Sequence, residues 1–354
     1  APLVNFLLRS TGGTPLAVAV VTVAVTAVTH LDGIGAATFL LVIPALLPLC
    51  KKLNIRISAI MAVCCSVITV MNLVPWGGVL NRQSVTLAMD SGLLWRAYLP
   101  MQIFGWFCCV GLAVVMSRIE VRRGAGKVAV LAAGESAEAA ADPEVLALQR
   151  PKLLWYNVIL TVAVFVLLFK TSLPNYSIFM MGCVLALAVN YPSPKDQEAR
   201  LAAHAPKVIS LVATVLSAGV MVGVLNNTGM IVAMAELIIH ILPDFLCAHL
   251  HLVFAFFGGF IGLAVSPDPL YYGILPVLIE VCSQYGIPVQ SVAIAFGIGA
   301  DSCFTLAPVI ASTYLGLAVS GLSLKEHMRF SFFPLWIVGL LMIAFGCVMG
   351  YIVI

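Results

Sequence analysis

The sequence predicts an all-α polytopic membrane protein with two inverted repeats, each containing a re-entrant hairpin and an interrupted transmembrane helix. Three observations lead to this fold class. The 354 residues are 62% hydrophobic and only 9% charged, with a mean hydropathy of +1.10, whereas soluble domains carry about 25% charged residues. Short polar tips break the apolar runs twice, and the same order of elements follows each tip.

The two tips join apolar arms that are each too short to cross a bilayer. The first tip is residues 29–35, and the second is residues 266–269, with the sequence Ser-Pro-Asp-Pro. Each flanking arm has fewer residues than the roughly 20 that a spanning helix needs. We therefore predict re-entrant hairpins at residues 16–49 and 252–282.

The remaining elements follow in chain order. In the first repeat, residues 1–117, they are the hairpin 16–49, a broken helix at 57–92 interrupted near Pro75, and a span at 99–116. A polar linker is predicted at 118–152. In the second repeat, residues 153–354, they are spans at 153–170, 177–189 and 208–225, a surface helix at 230–242, the hairpin 252–282, a broken helix at 289–320 interrupted near Pro308, and a span at 330–354.

The distribution of basic residues predicts that the second repeat is inverted relative to the first. Lys51, Lys52 and Arg56 follow the first hairpin, whereas the turn after the second hairpin has no Lys or Arg. Since Lys and Arg near span ends mark the cytoplasmic side, the linker 118–152 is expected in the cytoplasm and the C-terminus outside. The first repeat lacks the three spans that open the second, so we expect about 70–90 further residues before residue 1.

The tips are also the expected functional site. Irregular backbone at membrane depth is tolerated only where protein surrounds it or where it lines a watery cavity. An acidic residue at that depth, such as Asp32 or Asp268, is a functional-site hypothesis by default. Interruptions at matching places in two halves of a chain point to the binding site of a secondary transporter.

Four stretches resemble the citrate–metal:proton symporter family (CitMHS type), part of a wider superfamily of anion transporters with two inverted repeats. These stretches are Thr29-His30-Leu31-Asp32-Gly33, Met71-Asn72-Leu73-Val74-Pro75-Trp76-Gly77-Gly78, Ser266-Pro267-Asp268 and Ala311-Ser312-Thr313. The resemblance implies proton-driven uptake of citrate as a complex with a divalent metal of the Mg or Ca class. From the repeat architecture we expect a bacterial inner (plasma) membrane protein that works by alternating access, as a homodimer.

The chemistry of such a substrate indicates which residues bind it. Three carboxylates and one divalent cation leave about one negative charge, which the N-terminal ends of broken helices can stabilise. We place these helix ends at residues 72–78 and 307–313. No Lys or Arg lies at the tips or interruptions, which favours a substrate already neutralised by metal. No tightly bound cofactor is expected, and the net charge of +3 does not suggest a nucleic-acid partner.

Polar residues at the tips and interruptions make up the candidate site. The substrate-binding candidates are Thr29, Asp32, Gly33, Asn72, Val74, Pro75, Gly77, Ser266, Asp268, Pro308, Ser312 and Thr313. The candidates for proton or ion coupling are His30, Asp32, Asp268 and Asp301. Asp32 and Asp268 are also candidate contacts to the metal of the substrate complex, because hard cations prefer oxygen ligands. Alternatively, each of these two carboxylates caps a helix of its own hairpin.

Two alternative functions remain open from the sequence. A sodium-coupled carrier of di- or tricarboxylates, or of another organic anion, would have the same architecture. An intramembrane aspartyl protease would use two aspartates that share a proton. Asp32 and Asp268 lie on hairpin tips and not within helices, and the glycine–aspartate motifs of such proteases are absent from the sequence. We therefore predict a transporter and not an enzyme.

Overall fold

A computed structural model describes residues 14–126, 151–171, 173 and 175–354. Within these ranges the regular structure is helical and contains no β-strand, which confirms the all-α prediction. Helices long and apolar enough to cross a membrane are Gly35–Lys52, Ser91–Arg122, Val208–Asn227, Val289–Leu306 and Leu324–Val348. The described residues form two compact units, 14–126 with 218–354 and 151–217.

The helices before the linker begin and end close to the predicted positions. They are α1 (Pro15–Thr29), α2 (Gly35–Lys52), α3 (Ile57–Met71), α4 (Gly78–Leu87) and α5 (Ser91–Arg122). The span predicted at 99–116 is too short, because Asp90 caps α5 by accepting hydrogen bonds from the backbone N–H groups of Gly92 (2.9 Å) and Leu93 (3.1 Å). Residues 118–122 of the predicted linker are helical, and 127–150 lie outside the described residues.

Most helices after the linker lie close to the predicted positions, and one of them is longer than the hydropathy pattern indicates. They are α6 (Leu154–Lys170), α7 (Asn175–Asn190), α8 (Pro194–Asn227), α9 (Met230–Ile241), α10 (Asp244–Ala248), α11 (Leu250–Ala264), α12 (Pro267–Pro269), α13 (Leu275–Gln284), α14 (Val289–Asp301), α15 (Ala311–Ser320) and α16 (Leu324–Val348). A π-helical turn, Leu270–Ile274, connects α12 to α13. α8 includes most of the polar stretch before the span predicted at 208–225.

Local capping explains the differences in the second repeat. The span predicted at 330–354 starts earlier, at Leu324, because Ser323 and Glu326 form a reciprocal capping box. Lys325 and Arg329, which precede the predicted span, are therefore helical. At the second tip only Val265 and Ser266 are non-helical, since Pro267 occupies the first helical position, where its missing N–H costs no hydrogen bond.

In the smaller unit, α6 packs against α7. The side-chain amides of Asn157 and Asn190 donate hydrogen bonds to each other, at 2.9 and 2.8 Å. The Tyr156 hydroxyl donates to the Leu185 carbonyl at 3.0 Å. These polar contacts hold the two helices together in addition to the packing of their apolar side chains.

In the larger unit, the helices just before each interruption form the core. Nearly every side chain of α3 is buried, and so are those of α14 from Ser291 onward. The first arm of each hairpin packs on the core helix of its own repeat, α1 on α3 and α11 on α14. The second arm of each hairpin also contacts the other repeat: α2 packs on α15, and the turn Leu270–Ile274 and α13 contact α4, although α13 packs mainly on α9 and α14 of its own repeat. This arrangement brings both tips and both interruptions together.

A buried carboxylate joins the turn between α2 and α3 to the end of α5. Glu120 is 1% exposed and accepts hydrogen bonds from the Arg56 guanidinium (2.7 Å), the Arg56 backbone N–H (3.0 Å) and the Arg123 guanidinium (3.1 Å).

We expect Glu120→Gln to lower the free energy of unfolding by about 1–3 kcal/mol, because charge-assisted bonds are lost at a buried site. Thermal unfolding in detergent measures this effect, and an unchanged melting temperature would contradict it.

Candidate functional site

A cavity of about 320 Å³ lies where the two tips and the two interruptions meet. Its lining comes from both repeats. From the first repeat it includes His30, Gly33, Gly35, Asn72, Gly78 and Arg82, and from the second Gly262, Pro267, Tyr271, Asp301, Thr305 and Ser312. A space of this size, bordered by a few convergent polar groups in an apolar protein, has the form of a small-molecule site.

Three helices begin at the cavity wall. α2 contributes Gly35 and Ala36, α4 contributes Gly78 and Val79, and α15 contributes Ser312. None of these three helices has a side chain capping its first turn. Helix N-termini carry partial positive charge and unpaired N–H donors. Their convergence on one cavity creates an environment that favours an anion.

One cationic side chain, Arg82, lies among the described residues of the cavity lining. It belongs to α4, one helical turn after Gly78, and its guanidinium donates to the Gly78 carbonyl at 3.0 Å. Its Nε atom donates to Oδ1 of Asp268, on the second tip, at 2.7 Å. This ion pair connects the two repeats at the cavity.

A chain of buried polar groups forms the opposite part of the site. The Nδ1 atom of His30 lies 2.8 Å from Oγ1 of Thr38, and its Nε2 atom lies 3.1 Å from Oδ1 of Asn72. The Asn72 amide nitrogen donates to both carboxylate oxygens of Asp301, at 3.2 and 3.3 Å. His30 is fully buried and Asp301 is 4% exposed. Residues from both repeats therefore share one hydrogen-bonded chain.

Tyr271 contributes a buried donor to the same cavity. Its side chain lies beside Phe296, with the rings perpendicular and their centroids 5.3 Å apart. Its hydroxyl is buried and has no hydrogen-bond partner among the described residues. Because a buried polar group without a partner is costly, this hydroxyl is a candidate donor to a bound substrate.

The structure places the predicted residues in two groups. His30, Gly33, Asn72, Asp301 and Ser312 line the cavity. The others do not: Thr29, Asp32, Val74, Pro75, Gly77, Ser266, Asp268, Pro308 and Thr313. Asp268 still reaches the cavity through its ion pair with Arg82. No cluster of three or more His, Cys, Asp or Glu side chains suited to a metal ion occurs within the described ranges.

Local bonds explain why some predicted side chains point elsewhere. Asp32 is exposed, and its Oδ1 atom accepts a hydrogen bond from the Ile34 backbone N–H at 2.8 Å, so it stabilises its own tip. The Thr29 hydroxyl donates to the Val25 carbonyl at 2.8 Å. The Thr313 hydroxyl donates to the Thr305 carbonyl at 3.1 Å.

Arg82 is a site residue that was not predicted from the sequence. It lies outside the tips and interruptions, one turn inside the next helix, and its side chain turns back toward Gly78. The inference that the site lacks a cation was therefore wrong, and it cannot be used in favour of a metal-neutralised substrate. The i, i+4 spacing of Gly78 and Arg82 was the available signal, since such residues share one helix face.

Comparisons with known proteins identify the family of this chain. The citrate transporter family model, CitMHS, matches residues 1–280. A citrate transporter of Bacillus subtilis (strain 168) is 34% identical over 338 residues, covering 96% of this chain and 77% of the relative. A Mg(2+)/citrate complex secondary transporter of the same organism is 30% identical over 331 residues, covering 93% and 76%. The chain is a multi-pass membrane protein and belongs to the CitMHS family of citrate transporters.

Proposed function

We propose that this protein takes up citrate complexed with a divalent metal ion, coupled to protons, by alternating access. The observation that carries the proposal is the cavity lined by three uncapped helix N-termini and Arg82. Such a lining favours a compact anion. Citrate with one divalent cation carries about one negative charge, from three carboxylates and two positive charges, and its size suits a small cavity.

The metal in the substrate is proposed from a relative and from the chemistry of the site. The relative named as a Mg(2+)/citrate complex secondary transporter is 30% identical to this chain. The cavity lining holds one permanently charged cation, Arg82, and one carboxyl group, that of Asp301, so the site has little net positive charge with which to balance a bare tricarboxylate. A substrate with a single negative charge fits this balance better than one with three.

We assign proton coupling to the chain from Thr38 through His30 and Asn72 to Asp301, because it can adopt two complete hydrogen-bond patterns. With Asp301 ionised, Thr38 donates to His30, His30 donates to the Asn72 oxygen, and Asn72 donates to Asp301. With Asp301 protonated and the Asn72 amide flipped, each bond runs the other way: Asp301 donates to the Asn72 oxygen, the Asn72 nitrogen donates to His30, and His30 donates to Thr38. The Thr38 hydroxyl then donates to the Ile34 carbonyl, at 3.2 Å. One proton on Asp301 therefore changes the whole chain.

The helix packing supports an arrangement of two inverted repeats, residues 1–117 and 153–354. The first arm of each hairpin packs on the core helix of its own repeat, and the second arm contacts a helix of the other repeat. Such reciprocal packing is expected when two repeats are related by a pseudo-two-fold axis. We propose that the hairpins α1–α2 and α11–α13 re-enter the bilayer from opposite sides and expose the cavity to each side in turn.

The ion pairs of Glu120 support the orientation. They hold Arg56, in the turn that directly follows Lys51 and Lys52, beside the end of α5, with Arg118 and Arg122. Both basic segments therefore lie on one side of the unit. By the positive-inside rule, this side is cytoplasmic, and so are the linker at 118–152 and the ends of α2 and α5. The start of α16 also carries basic residues, Lys325 and Arg329, so we place it on the cytoplasmic side as well and the C-terminus outside.

Uptake of radiolabelled citrate into proteoliposomes tests the proposal. We expect uptake to need Mg²⁺ or a similar divalent cation, to cease with a chelator, and to rise when the external pH falls. Uptake that ignores both metal and pH but follows a sodium gradient would replace this proposal with a sodium-coupled carrier. Empty liposomes are the control for leakage.

A further inference from the structure

We propose that Arg82 exchanges partners during transport, and that Asp268 holds the place of a substrate carboxylate while the cavity is empty. This inference rests on the proposed citrate function and adds a specificity-determining residue to it. Arg82 is the side chain in the described cavity lining with a permanent positive charge. A guanidinium can bind a carboxylate through two parallel N–H donors.

The position of the guanidinium supports a binding role. Gly78 makes room for it, because a Cβ atom at residue 78 would lie 2.8 Å from one terminal nitrogen of Arg82. The Gly78 carbonyl then accepts a hydrogen bond from that nitrogen. Arg82 is thus folded back over the start of α4, where its charge adds to that of the helix N-terminus. A substrate anion in the cavity meets both together.

The exposure of the ion pair supports its exchange. The Arg82 side chain is 28% exposed and that of Asp268 is 46% exposed. Partly exposed ion pairs contribute little to stability, so a carboxylate from the substrate can replace Asp268 at small cost. The Asp268 carboxylate has no other hydrogen bond or ion pair among the described residues. It is therefore free to leave with the second tip.

Opposite effects of two substitutions distinguish exchange from a fixed structural contact. If Asp268 competes with the substrate for Arg82, Asp268→Asn should bind citrate up to about fivefold more tightly, the range expected for a partly exposed pair. Arg82→Gln should bind citrate roughly ten- to a hundredfold more weakly, as for loss of a charge-assisted hydrogen bond. A fixed contact predicts weaker binding in both variants.

Isothermal titration calorimetry of the full chain in nanodiscs, with citrate as the titrant, measures these affinities with and without Mg²⁺. The double variant should bind like Arg82→Gln alone, because the benefit of removing Asp268 requires Arg82. Arg96→Gln is the matched control, since Arg96 is exposed on α5 and its loss removes the same charge. Melting temperatures show whether each variant is folded.

Each outcome decides the proposal. Opposite shifts in the two single variants support it. Weaker binding by a folded Asp268→Asn, or unchanged binding by a folded Arg82→Gln, overturns it and leaves the citrate function standing. If Arg82→Gln does not fold, the sign of the Asp268→Asn shift alone decides. Wild-type protein that binds no citrate in either buffer overturns the proposed function, and the role of Arg82 with it.

Discussion

Replacing Asp301 with asparagine is expected to abolish proton-driven citrate accumulation while citrate exchange continues. Asp301 is the carboxylate of the buried chain and lines the cavity. An asparagine at this position cannot take up or release a proton, so the hydrogen bonds from Thr38 to residue 301 can no longer switch between their two patterns. For a substrate with one negative charge that moves with one proton, no net charge crosses the membrane, and each pH unit of the proton gradient supplies about 1.4 kcal/mol, which corresponds to about a tenfold difference in the citrate ratio.

Two assays on the same proteoliposomes separate coupling from binding. Accumulation under a proton gradient should fall to the level without a gradient. Exchange of external labelled citrate for internal unlabelled citrate should persist, because exchange needs no net proton movement. Asp196→Asn is the control, since Asp196 is exposed on α8. Normal accumulation by Asp301→Asn would remove Asp301 from the coupling mechanism, and loss of both activities would assign it to substrate binding.

The second large effect is expected from Gly258→Ala, which should prevent the second hairpin from packing. Gly258 lies on α11, and its added Cβ atom would be 2.5 Å from the carbonyl carbon of Gly299 on α14. The same substitution on the facing helix, Gly299→Ala, would place a Cβ atom 2.7 Å from the backbone of Ala255. Because backbone atoms oppose each other, no side-chain rotation relieves the clash, and the helices must separate.

We expect this separation to cost about 3 kcal/mol or more, the upper end for overpacked cores. The variant should melt at a lower temperature in detergent and lose transport, because α11 leads directly into the second tip. Gly111→Ala is the matched control, since Gly111 is also within a helix but has no atom within 4 Å of an added Cβ. That control should be neutral or slightly stabilising. Equal melting temperatures for wild type and Gly258→Ala would contradict the expectation.

The sequence predicted those parts of the fold that depend on local chemistry. Pro75 with Gly77 and Gly78, and Pro308, end helices because proline removes a donor and glycine permits tight turns. Both interruptions occur near these residues. Boundaries set by capping, such as the starts of α5 and α16, were harder to see, since Asp90 and Ser323 lie in polar stretches that hydropathy assigns to turns.

The site was predictable only in part, because it depends on which way side chains turn. Asp32 and Asp301 are both acids in apolar surroundings, and the sequence does not distinguish them. In the structure the Asp32 carboxylate bonds to its own tip, whereas that of Asp301 reaches Asn72 across the repeats. Arg82 was missed for the same reason, since its role depends on a contact with Asp268, which is 186 residues away in the chain.

The close contact between α11 and α14 has a mechanical consequence. Helices usually lock together by inserting side-chain ridges of one into grooves of the other, and lengthwise displacement must then disengage each ridge. Where Gly258 and Gly299 meet, backbone faces backbone and there is no ridge to lift. The contact does not tolerate a single added methyl group, and for the same reason it has no side chain that would resist sliding of one helix along the other. We therefore expect α11, the arm beside the second tip, to move along α14 with less resistance at this contact than where side chains interlock, as Phe254 and Phe296 do.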